Sequence, residues 1–145
     1  MLACTLVHWS APLVLVWVGL YGGICVTTVQ RREGVSGLKS IASRLLLLEL
    51  VCVIPAVIVI PWSGNCLLDY YHIPWTSFWI QTSLILFSVS GGIWLIRLLV
   101  TWQWYRAQWL NAQWSRIWFY SDFFLLGSLA IIAGLMYAGS RGLMG

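Results

Sequence analysis

Residues 45–62 read LLLLELVCVIPAVIVIPW, an unbroken apolar run in which Glu49 is the only charged side chain. A helix needs about 20 such residues to cross the hydrocarbon core of a bilayer. A run that is apolar on every side has no face to offer water, so it predicts a helix in lipid rather than on the surface of a soluble domain. Pro55 and Pro61 each remove a backbone donor, which predicts a kink in this helix and a bend toward its far end.

Working outward from that run, three more stretches qualify, at about residues 6–29, 75–102 and 119–138. The chain therefore reads as an all-α integral membrane four-helix bundle, a single transmembrane domain over residues 1–145. Composition agrees: 61% of residues are hydrophobic and 8% charged, and the mean hydropathy is +0.87. A soluble fold could not hide that much apolar surface. The net charge of +4 is divided among short loops instead of forming a basic face, which argues against nucleic acid as a partner. The lipid bilayer is the expected partner, and the 11 tryptophans fit its headgroup level. The first stretch has its basic residues, Arg31 and Arg32, after the apolar run and not before it, so it reads as a retained span and not a cleaved signal.

Loop charge orients the bundle. Arg31, Arg32, Lys39 and Arg44 lie between spans one and two, and Arg106 and Arg116 between spans three and four, whereas the loop at 65–74 has Asp69 and no Lys or Arg. Basic loops stay in the cytoplasm, so both termini are expected outside, in the periplasm of a bacterial inner membrane. Gly19, Gly22 and Gly23 in span one and Gly91 and Gly92 in span three are expected where another helix approaches closely. The repeat QWYRA, QWLNA, QWSRI spaces Trp104, Trp109 and Trp114 five residues apart, about 140° per step on a helix. Indoles spiralling in that way suit an interfacial aromatic belt, with docking to a partner subunit as the alternative.

Three ionisable residues fall inside spans: Glu49, Arg97 and Asp122. Each lies roughly 6–9 Å from the cytoplasmic ends at 1.5 Å per residue, so their depths match and one buried cluster is predicted. It could act as a proton or ion relay, or as structural glue that fixes helix register; the sequence favours the glue. His8 and His72 both fall on the outer side and could ligate a b-type haem or copper, with Cys4, Cys66 or Asp69 assisting a metal; the alternative is ordinary hydrogen bonding at the interface. Cys4 and Cys66 share the oxidising side, where a disulfide between them would persist. No phosphate loop, HExxH helix, CxxC pair or GxSxG elbow occurs, so no catalytic residue is assigned.

Over residues 42–64 (ASRLLLLELVCVIPAVIVIPWSG), 73–94 (IPWTSFWIQTSLILFSVSGGIW) and 122–137 (DFFLLGSLAIIAGLMY) the chain resembles an uncharacterised bacterial family of four-helix integral membrane proteins. That family is distantly similar to CopD-type copper-resistance proteins and HemJ-type protoporphyrinogen oxidases, short helical bundles with a His near the start of a span. The resemblance implies a role for His8. The chain departs from the HemJ pattern in having no Lys in any span, since its only Lys, Lys39, lies in a loop.

The function expected from these readings is that of a non-catalytic accessory subunit packing against a larger membrane complex, respiratory or photosynthetic. A haem or copper protein using His8 and His72 is the second expectation, and a small transporter or channel the third.

Overall fold

A computed structural model describes residues 2–106 and 112–140, and all regular structure in them is helical. The elements are α1 (Leu2–Glu33), a 3-10 turn (Val35–Gly37), α2 (Leu38–Leu48), a π-helical turn (Glu49–Val53), α3 (Ile54–Tyr71), α4 (Phe78–Tyr105) and α5 (Ala112–Ser140). Four helical rods are long and apolar enough to span a membrane, α2, the π turn and α3 running on as one of them.

The rods form a closed ring. Helix α4 packs between α2 and α5, and α1 completes the circuit against α2, α3 and α5. Two glycines make the tight connection from α1 to α2. Gly34 takes a left-handed φ of 70°, and a Cβ at Gly37 would stand 2.6 Å from that of Glu33. At this end of the bundle Val26, Leu38, Ala42, Leu45, Val100, Trp104 and Trp118 form one buried apolar cluster.

The π turn precedes Pro55. The ring of a proline crowds the carbonyl one turn earlier and offers it no N–H. Widening that turn by one residue relieves the conflict, and the Ile54 amide bonds to the Glu49 carbonyl in the wider register. The expected kink is thus taken up as a local expansion at Glu49. The second rod also runs past the expected loop at Asn65, to Tyr71, where His72 adopts a left-handed φ of 53° and caps it. Its amide bonds Asp69 O and that of Ile73 bonds Leu68 O at 3.0 Å, the paired reverse bonds that end many helices, with Pro74 just beyond.

Several exposed aromatic side chains lie toward the two ends of the bundle, while Trp17, Tyr21, Phe123 and Phe124 are exposed nearer its middle. Trp9, Trp62, Tyr70, Tyr71 and Trp75 stand toward one end, and Trp102, Tyr105, Phe119 and Tyr120 toward the other. Such girdles match the two headgroup levels of a bilayer.

Candidate functional site

Arg97 is central. It lies on α4 in a buried row at seven-residue spacing, Ser83, Ser90, Arg97 and Trp104, two helical turns apart and therefore on one face. Its Nη1 donates to Oδ1 of Asp122 on α5 and its Nη2 to Oε1 of Glu49 on the π turn. Glu49 continues the buried stripe Leu38, Ala42, Leu45 of α2 at the next helical step. All three residues are nearly inaccessible, at 4% exposure for Arg97, 2% for Glu49 and 6% for Asp122. Charges in hydrocarbon survive only when paired, and three different rods supply this set.

Neighbours complete the arrangement. The Trp94 indole N–H donates to Oε2 of Glu49, so both oxygens of that carboxylate accept a hydrogen bond. The Trp118 ring lies 5.0 Å from the Arg97 guanidinium carbon, within cation–π range. Its indole N–H donates to Thr101 Oγ1 at 3.0 Å, and Thr101 donates in turn to the Arg97 carbonyl. On the α1 side, Gly19 and Gly23 make room for Asp122: a Cβ at either would stand 3.2 or 3.3 Å from a carboxylate oxygen. Gly22 does the same for Trp118, at 3.1 Å.

A cavity of about 60 Å³ adjoins the site, walled mainly by apolar side chains such as Leu15, Val57, Phe87 and Leu129, with Arg97 and Asp122 in its lining. Ser90 donates to Ser128 at 2.7 Å beside it.

His8 is buried, its Nδ1 3.0 Å from Ser63 Oγ. His72 is exposed and caps α3 nine residues after Ser63, about 13 Å further along the helix axis. The structure does not bring the two imidazoles together, and among the described residues no group of three or more His, Cys, Asp or Glu side chains could hold a metal ion. Cys4 and Cys66 form a disulfide with Cα atoms 6.5 Å apart, which takes both sulfurs out of any ligand set.

The aromatic belt needs correction. Trp104 is fully buried in the apolar cluster, 6.1 Å from Trp118, because the seven-residue row turns it inward. Trp114 is half-buried and packs on the same cluster, and Trp109 lies outside the described residues. The glycines of α1 are close-packed as expected, but a Cβ at Gly91 or Gly92 would meet nothing within 4 Å.

Sequence reading alone misses Trp94 and Trp118, and it places the α1 glycines at a helix contact without showing that they face Asp122 and Trp118. A signal is present: Trp94 precedes Arg97 by three residues and Trp118 precedes Asp122 by four, spacings that share a helix face. No protein-family profile, curated protein or solved structure matches this chain.

Proposed function

We propose that this chain is a non-catalytic helical subunit that packs within a larger complex of a bacterial cytoplasmic membrane. The observation that carries this reading is the outward face of α5. Most of its apolar stretch is not buried within the chain. Gly127, Ala130 and Gly134 lie exposed along that face, and a Cβ at either glycine would meet nothing within 4 Å. Small residues in register let a second helix approach closely, a contact that lipid chains fill less well.

Two independent features support the orientation we propose. Arg31, Arg32, Lys39 and Arg44 gather at the α1–α2 end, which favours the cytoplasm, and the Cys4–Cys66 disulfide ties the opposite end, which favours an oxidising compartment. Both termini then lie in the periplasm. A phosphatase reporter fused after α5 should be active, whereas a fusion after Lys39 should be silent.

The subunit reading is tested by gentle purification from native membranes followed by mass measurement of the intact assembly. Stoichiometric larger chains are expected, and they should be lost from Gly127→Leu/Gly134→Leu while the variant stays folded. A wild-type chain that purifies as an isolated monomer overturns it.

A further inference from the structure

Counting charge at the triad gives two carboxylates for one guanidinium, an excess of one negative charge among side chains at most 8% exposed. An uncompensated charge in that setting is very costly, so one positive partner must accompany it. The hydrogen bonds show which carboxylate lacks compensation. Glu49 accepts from Arg97 on one oxygen and from Trp94 on the other. Asp122 accepts from Arg97 on Oδ1 alone; its Oδ2 is turned to the bare backbone of Gly23 and accepts no hydrogen bond among the described residues.

We infer that Asp122 is a membrane-embedded proton-binding site: Glu49 and Arg97 form the neutral ion pair, and Asp122 carries an exchangeable proton on Oδ2. Arg97 from α4 and Glu49 from the π turn are the charged groups around it, and α1 brings Gly19 and Gly23 against it. A proton needs no further ligands, which suits a site whose surroundings are otherwise apolar. The adjoining cavity, about 60 Å³, is lined by Asp122 and Arg97 among apolar side chains, so the carboxyl borders open space and not a packed core. This inference does not depend on the subunit reading, because the site is complete within one chain.

A protonated carboxyl in an apolar setting has a distinctive chemistry. It gives its proton to a nitrogen of a hydrophobic carbodiimide while the carboxylate oxygen adds to the central carbon. The O-acylisourea so formed rearranges by acyl transfer to a stable N-acylurea. An ionised, doubly hydrogen-bonded carboxylate has no proton to give and does not enter this reaction.

The test is to treat the full chain in its own membranes with N,N′-dicyclohexylcarbodiimide and map the adduct by peptide mass spectrometry. The chain has four acidic side chains, Glu33, Glu49, Asp69 and Asp122, among which the adduct is assigned. The adduct is expected on Asp122 in preference to Glu49, increasing on acidification. In Glu49→Gln the guanidinium loses its other anion, Asp122 ionises in its place, and the adduct is expected to disappear although Asp122 is still present. An adduct on Glu49 instead of Asp122 overturns the inference, and so does labelling confined to Glu33 and Asp69. The mapping on wild-type chain decides the matter even if a variant fails to fold.

Discussion

Gly19 of α1 faces Asp122 of α5 so closely that a methyl group at position 19 would stand 3.2 Å from Oδ1. The same added atom would lie 3.2 Å from Leu126 Cδ2. Larger side chains at position 19 should therefore push α1 away from α5. For Gly19→Leu we expect a loss of about 1–3 kcal/mol, the usual cost of overpacking, read by thermal unfolding in detergent. Gly127→Leu, placed on an open face, is the control and should leave the isolated chain's stability unchanged. Equal losses from both would contradict the cradle.

Removing the base should do more harm than removing a neutral neighbour. In Arg97→Ala, Glu49 and Asp122 lose their shared donor while still buried, and breaking a buried ion pair by deleting one partner costs roughly 3–5 kcal/mol. Arg97→Lys should recover only part of this, because a single ammonium lacks the planar fork that reaches two carboxylates at once. Lysine performing as well as arginine in the same unfolding measurement would show that the fork is not needed.

Much of this arrangement is legible from the residues alone. Four apolar runs of the right length mark four spans because lipid allows few alternatives, and the three intramembrane charges stand out against them. Contact between the charges is not legible, since it depends on which rods are neighbours in the ring. The end of α3 is hidden because a polar pair, Asn65 and Asp69, looks like a loop, while the actual stop is a histidine in a left-handed cap, a position where glycine is the usual signal. For Trp104 the five-residue repeat misleads, because the seven-residue row Ser83, Ser90, Arg97, Trp104 governs its direction.

Trp94 is expected to act through Glu49. Trp94→Phe keeps an aromatic ring but removes the indole N–H, leaving one buried carboxylate oxygen without a donor. A loss of about 1–3 kcal/mol is expected. If Glu49→Gln is introduced as well, the two losses should not add, since each disturbs the same bond. Simple additivity in that double-mutant cycle would remove Trp94 from the site.

The disulfide gives a count that needs no unfolding measurement. Of four cysteines, Cys25 and Cys52 are free, so the denatured chain should titrate two thiols before reduction and four after. Cys4→Ser is expected to cost about 2–4 kcal/mol. Four thiols before reduction, in protein exported and purified without reductant, would contradict the pairing.

The three charges of the triad also impose an order on how the chain can be assembled. They enter the membrane as acid, base and acid, on the second, third and fourth rods in turn. A chain ending at Tyr71 would hold Glu49 with no partner, and one ending at Tyr105 would hold a matched pair. Asp122 then arrives last, at a guanidinium already engaged, and finds its place between that group and the glycines of the first rod. Arg97 thus meets a waiting carboxylate and Asp122 a place already formed, so the early rods act as a receptor for the late ones.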